Sequence, residues 1–464
     1  MSSSTPSTNT GYWQLLAENS DFRKLFTGQL VSLLGDWFNY IAVQILVYDL
    51  TQSALAAGLA IIASNLPAFF LTPIAGAIVD RFDRRKIMII ADVSRGLLAL
   101  GLLLVRSADQ LWLVYILTAA LVAFGSFFNP ALSAAVPNLV KREQLLTANA
   151  LTNALWGFML AAGAMVGGLT IALVGRDLAF VVNSLSFFFS AVMLWSIRKP
   201  FAQSHHGANR SLNPFADFRE GLSYAWKRPQ VMALLTVKTG GGLAGGVILL
   251  LTVFGVKVFN SGAFGIGLLQ AARGTGILLG PLIVRAVASS EIGRIQKLIA
   301  AGFFVTGIAY ALFSFSPALG GNLVLWQTTS TSGSNAQVFN LSLALVIALI
   351  AVFVAHNGWG SNWTSSSTLL QQLTPDRIRG RIFSMDFGMV TLAIAFSTFL
   401  TGAAVEKFDP QTIALALGAV FVLYGAVWSI AVWWSQRTRP DEWRVGSLHH
   451  VAANLEEAPV TTGE

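Results

Sequence analysis

The chain has 464 residues, 54% of them hydrophobic and only 11% charged, whereas soluble domains carry about 25% charged residues. This balance, with a mean hydropathy of +0.64, excludes a soluble globular protein and leaves no room for a large aqueous domain. The absence of cysteine removes disulfides, thiolate catalysis and cysteine-based metal sites from consideration, and the net charge of +8 falls in alternate loops instead of forming one basic face, so it sets topology and not nucleic-acid binding.

Apolar runs of about 20 residues or more, each able to cross roughly 30 Å of hydrocarbon as a helix, predict an all-α membrane protein with twelve transmembrane helices. Residues 1–24 read as a cytoplasmic N-terminal tail: the start Met1-Ser2-Ser3-Ser4-Thr5 lacks the basic end and short apolar core of a cleavable signal, and the first 20 residues are expected to be disordered. The first six helices fill residues 25–197, at about Leu25–Leu50, Leu55–Val79, Ile87–Val105, Leu111–Pro137, Leu145–Val174 and Leu178–Ile197. Residues 198–229 form a cytoplasmic linker. In it Asn213 can cap a short helix that starts at Pro214, with Phe215, Phe218 and Leu222 on one side, suited to lying on the membrane surface.

Residues 230–436 repeat the plan. Helices are expected at about Val231–Phe259, Phe264–Val287, Ile295–Phe315, Leu341–Leu373, Ile378–Val405 and Thr412–Trp434, with a polar Gly/Ser/Thr-rich stretch at 320–337 and a cytoplasmic tail at 437–464. The tenth run is too long for one straight crossing, so it projects from the bilayer or breaks near His356-Asn357-Gly358-Trp359-Gly360. The stretch at Ala54-Leu55-Ala56-Ala57-Gly58-Leu59 matches Ala263-Phe264-Gly265-Ile266-Gly267-Leu268, and Pro137 matches Pro375, which points to a duplicated six-helix unit. Twelve spans with the N-terminus inside place roughly 23 basic residues on the inner side and leave only Arg106, Arg176, Lys257 and Lys407 outside, so both termini are expected in the cytoplasm.

The loop between the second and third helices reads Gly76-Ala77-Ile78-Val79-Asp80-Arg81-Phe82-Asp83-Arg84-Arg85-Lys86, and its charges require a tight, wet hairpin. It resembles the loop 2-3 signature of the major facilitator superfamily, with Asp83 where that signature has Gly. Leu34-Gly35-Asp36-Trp37, Ala148-Asn149-Ala150, Asn183-Ser184-Leu185-Ser186-Phe187 and Pro375-Asp376-Arg377-Ile378-Arg379-Gly380-Arg381 are similar to segments of its enterobactin and macrolide exporter branch. The resemblance implies two pseudo-symmetric six-helix bundles that rock around a central cavity to export a small amphipathic compound. It implies a conformational latch of Gly76, Asp80, Arg84 and Asp92, in which Asp80 meets the N-terminal end of helix 11 while Arg84 and Arg85 pair with Asp92 or with lipid phosphate. The chain departs from the superfamily's drug-proton antiporters in having no Arg within helix 4 and Ala164 after Gly163 in helix 5.

Ionisable residues inside spans are costly unless they face a cavity or a partner. Asp36, Lys238, Arg273, His356 and Asp386 are therefore the expected coupling and cavity residues, with Asp36 the proton carrier and Arg273 its counter-ion. The same two residues would also suit a permanent structural pair. Asp92 and Arg95, three apart on helix 3, should pair near the inner surface. Trp37, Tyr40, Trp156, Trp359 and Trp363 supply aromatic area for an amphipathic substrate. No phosphate loop and no metal-ligand spacing occur, so no enzyme activity, metal or cofactor is expected. The expected partners are a small-molecule substrate, protons and membrane lipid, and the chain is expected to be a monomer in the cell membrane. An uncoupled facilitator or lipid flippase, and a non-transporting sensor of the same fold, are the alternative readings of the sequence.

Overall fold

The computed structural model describes residues 11–199, 201, 214–287, 292–332 and 335–440; the expectations for the first ten residues, for most of the linker before Pro214 and for the tail beyond residue 440 lie outside the described residues. Among the described residues, twelve helices are long and apolar enough to cross a membrane. Spans 1 to 6 are Ser20–Thr51, Ala54–Thr72, Arg84–Leu104, Ala108–Leu139, Thr147–Val174 and Arg176–Trp195. Spans 7 to 12 are Pro229–Val258, Gly262–Val284, Gly293–Gly320, Leu343–Leu373, Ile378–Val405 and Pro410–Thr438.

Packing divides these spans into two bundles. In the first half span 2 packs on span 4, span 4 on span 3, span 3 on span 6, and span 6 on span 1; in the second, span 8 packs on span 10, span 10 on span 9, and span 9 on span 12. The bundles meet through spans 5 and 8 and through spans 2 and 11. A shift by six spans exchanges these two pairs, which is the signature of a parallel repeat.

The proximal ends of the spans, on the side of the chain termini, differ in detail from expectation. A short helix, Tyr12–Glu18, precedes span 1, with Leu15 wholly buried against the first bundle, so part of the predicted tail is ordered by burial of one apolar side chain. Asp83 lies at φ −60° and accepts from the backbone N–H groups of Arg85 and Lys86 at 2.8 and 3.2 Å. The turn therefore needs no left-handed residue. It uses the carboxylate as a helix cap, a role glycine's missing side chain cannot fill.

Three spans are interrupted. In span 2 the helix stops at Ala63 and restarts at Leu66, because Pro67 has no N–H to give; Ser64 Oγ and Asn65 Nδ2 both turn back to the carbonyl of Ile61, at 2.8 and 2.7 Å. Span 7 breaks between Gly242 and Val247. Its glycines admit large rings: a Cβ on Gly241 would overlap the Trp359 ring. Span 5 carries a π-turn at Met159–Gly163, and Gly163 and Gly167 let Trp37 and Phe38 of span 1 close on it, as the small residues predict.

Span 10 runs unbroken from Leu343 to Leu373. Its 31 residues make about 46 Å at 1.5 Å per residue, so the excess over the hydrocarbon thickness projects or tilts, and no break occurs at His356. The polar stretch before it is not a plain loop but an antiparallel hairpin, Val324–Ser332 with Asn335–Ser342, that reaches span 5 of the other bundle. The short helix Pro214–Trp226 begins where proline predicts and packs on span 11, with Glu220 paired to Arg381.

Candidate functional site

At mid-depth in the first bundle lies a cavity of about 270 Å³. Span 1 contributes Asp36, Asn39, Tyr40 and Gln44, spans 2 and 3 add Ser64 and Arg95, and span 4 supplies Thr118, Ser126 and Asn129. The spacing explains the convergence. Asp36, Tyr40 and Val43 follow the helical repeat down one face of span 1, and Thr118, Val122, Gly125 and Asn129 do so on span 4. A polar stripe on an otherwise apolar span can turn only toward the bundle interior.

The chemical centre of this wall is an ion cluster. Arg95 Nη2 donates to both carboxylate oxygens of Asp36, at 3.0 and 2.9 Å, while Nη1 donates to Asp92 at 3.4 Å. The guanidinium also lies 3.9 Å from the centroid of the Phe187 ring. Asp36 keeps 35% of its side-chain area accessible, Arg95 12% and Asp92 none, so Asp36 is the member that opens on the cavity. The Asp92–Arg95 pair forms as expected, but deeper, and Arg95 instead of Arg273 is the counter-ion of Asp36. The sequence reading named Arg95 only as the partner of Asp92 and missed its contact with Asp36, although an Arg three residues from an Asp inside an apolar run was the signal for a buried cation.

The other predicted residues separate. Lys238 and Asp386 form a buried ion pair between spans 7 and 11, with Lys238 Nζ 4.7 Å from the centroid of Trp363. Trp363 is thereby committed to that cation, and Trp359 packs against Gly241, Trp363 and Phe421. His356 is buried and satisfied on both nitrogens, with Val352 O at 3.0 Å from Nδ1 and the Tyr310 hydroxyl at 3.2 Å from Nε2. It packs span 10 to span 9 and does not border the described cavity. Trp37 stands edge-on to Tyr40 at 5.5 Å, and Trp156 is 59% exposed. Tyr40 alone among the predicted aromatics lines the described cavity. Arg273 Nη1 donates to Gln270 Oε1 at 3.1 Å, and Gln270 in turn donates to the Tyr40 hydroxyl at 3.3 Å, a chain that links the two bundles.

For the predicted latch, the side chains of Asp80 and Asp376 lie outside the described residues. A Cβ at Gly76 would meet nothing within 4 Å, so close packing does not require glycine there. Arg84 is buried and donates to Ala134 O at 3.0 Å, tying span 3 to span 4, and Asp92 is taken by Arg95 instead of Arg84.

A different latch closes the distal end, away from the chain termini. Glu406, just after span 11, accepts from Ser53 Oγ at 2.7 Å and from the backbone N–H of Leu55 at 3.2 Å, at the start of span 2. A carboxylate from one bundle thus caps a helix N-terminus of the other, where the helix dipole favours it. The Ser53 hydroxyl, then the backbone N–H groups, hold the Glu406 carboxyl below the usual range. A depressed value means that the latch contribution is present above the free carboxyl's range and is lost as pH falls through the latched value. Acidification through that window should therefore favour distal opening, and Glu406→Gln should flatten the response, as measured by distance labels across the distal ends of spans 2 and 11.

The comparisons with known proteins follow this geometry. The family described as transmembrane secretion effector matches residues 11–444. The enterobactin exporter EntS of Citrobacter koseri is 25% identical over 418 residues, covering 89% of this chain and 91% of that protein. The macrolide efflux protein A of Streptococcus pyogenes is 26% identical over 417 residues, covering 88% of this chain and 94% of that protein. A crystal structure of the nucleoside transporter NupG shares the fold at a TM-score of 0.67 and 11% identity, covering 89% of this chain and 99% of that one. Two six-span bundles, a polar cavity at mid-depth and a match over nearly the whole length lead to one statement: the chain belongs to the transmembrane secretion effector family of the major facilitator superfamily and is a multi-pass membrane transporter, not an enzyme.

Proposed function

We propose that this protein exports small amphipathic compounds across the cytoplasmic membrane by alternating access, coupled to proton entry at Asp36. The observation that carries the reading is the cluster at the cavity wall, where one cation serves two carboxylates and the carboxylate nearer the cavity is the accessible one. Two acids around one guanidinium leave one excess negative charge, which a proton can neutralise in low-dielectric surroundings. The exporter relatives support the direction of transport, and the charge asymmetry of the loops supports cytoplasmic termini. The Glu406 contact that joins the distal ends of the bundles supports the reading of an inward-facing arrangement, which compound enters from the cytoplasm.

The test is substrate-induced proton movement in proteoliposomes. Wild type should show compound-dependent proton flux, and Asp36→Asn should reduce it to background while exchange of compound at equal concentrations continues. A second reading, uncoupled facilitation or lipid flipping, is favoured by the engagement of both Asp36 oxygens by Arg95. Transport by wild type without proton flux, unaffected by pH, would establish that reading and end the coupling proposal.

A further inference from the structure

Among the described residues, six side chains that carry a formal charge at neutral pH lie away from the span ends: Asp36, Asp92 and Asp386 are acidic, and Arg95, Lys238 and Arg273 are basic. Their formal charges cancel, but their pairing does not. Lys238 and Asp386 neutralise one another, and Arg95 is shared by Asp36 and Asp92. That leaves an excess negative charge in the first bundle and Arg273 in the second, where no carboxylate of the described residues pairs with it. A guanidinium does not shed its proton.

A charge at this depth is costly unless a partner neutralises it, and a single polar contact inside a helical membrane protein returns only a small part of that cost. The single hydrogen bond from Nη1 to Gln270 therefore falls well short of stabilising Arg273, and its buried Nε has no acceptor. Gln270, fully buried, is held in place by its bond to Tyr40, which lines the cavity on the same face of span 1 as Asp36. The order Asp36, Tyr40, Gln270, Arg273 thus runs from one bundle to the other and ends on an unneutralised cation.

We propose that Arg273, oriented by Gln270 and Tyr40, receives a carboxylate, sulfonate or phosphate group, and that the transported compounds are amphipathic organic anions. The binding claim stands on this geometry; its extension to transport rests on the export reading above. Neutralisation of Arg273 by substrate at the bundle interface would also couple binding to the contact between spans 1 and 8.

The probe pair is 8-anilinonaphthalene-1-sulfonate and N-phenyl-1-naphthylamine, which share their aromatic body and differ by the sulfonate. Calorimetric titration of the full chain in an uncharged detergent should give wild type at least a tenfold preference for the sulfonate, about 1.4 kcal/mol. Arg273→Gln should erase that preference and Arg273→Lys should keep part of it; Gln270→Leu, which leaves the charge but not its support, should weaken it. Equal affinity of wild type for the two probes, or a preference that survives in Arg273→Gln, would overturn the proposal. If Arg273→Gln does not fold, the Lys and Leu variants decide by the same ratio. Displacement of the sulfonate by phosphatidylglycerol would assign the site to a lipid phosphate and overturn the substrate assignment, and its failure to displace supports a soluble anion. Binding that depends on Arg273 without uptake of the sulfonate into proteoliposomes would leave the anion site standing and defeat the export reading.

Discussion

Lys238→Met should lower stability by about 3 kcal/mol, the scale of stranding one charge of a buried pair or of placing an aspartate at the bilayer centre. The pair is almost inaccessible, at 4% and 2% of side-chain area, so no water replaces the lost ammonium around Asp386. The loss exceeds by several-fold what removing a neutral membrane hydrogen bond costs, about 0.6 kcal/mol on average. The double variant Lys238→Met with Asp386→Leu should recover most of it, because two apolar side chains remove both desolvation penalties together. A thermal unfolding series on the two single variants and the double one checks this. If the double variant recovers stability and still transports, the pair is a structural clamp between spans 7 and 11. Recovery of stability with loss of transport would give the pair a role in movement.

Arg95→Met should have the largest effect on function. It leaves two carboxylates without their shared counter-ion, one of them wholly inaccessible, and a buried charge stripped of its partner is strongly destabilising. Two outcomes are expected together: a stability loss of about 3 kcal/mol or more, and transport at background. Arg95→Lys should recover only in part. One ammonium cannot reach Asp36 and Asp92 with separate nitrogens or lie flat on Phe187 as the guanidinium does. Adding Asp92→Asn to Arg95→Met should restore folding without restoring proton flux, as measured by melting temperature and by flux in the same preparation. Restored flux would show that Arg95 acts only as a structural counter-ion.

The order of the spans, the duplicated plan and the helix start at Pro214 were legible because each is written in local sequence. An apolar run either is or is not long enough to cross hydrocarbon, and that free energy is summed over neighbours in the chain. Asp83 was harder. Its place in a family signature suggested a missing glycine, whereas its side chain caps span 3 and makes the turn without positive φ. The hairpin at 324–342 had no strong periodicity to announce it.

Depth in a helix was also readable for Asp36, and depth alone made it a site candidate. Its partner was not, because Asp36 and Arg95 are 59 residues apart and lie on different spans. Which of several buried cations an aspartate meets depends on how the spans rotate and cross, a property of side-chain packing between helices and not of either helix. The same holds for His356, which sequence alone marks as titratable and which packing turns into a bridge between Val352 and Tyr310. The sequence by itself determined that charges are present at depth, since composition and position suffice to count them. Only the tertiary structure decided which are neutralised by neighbours and which, like Arg273, have no carboxylate partner among the described residues, since ion pairing needs contact within a few ångström.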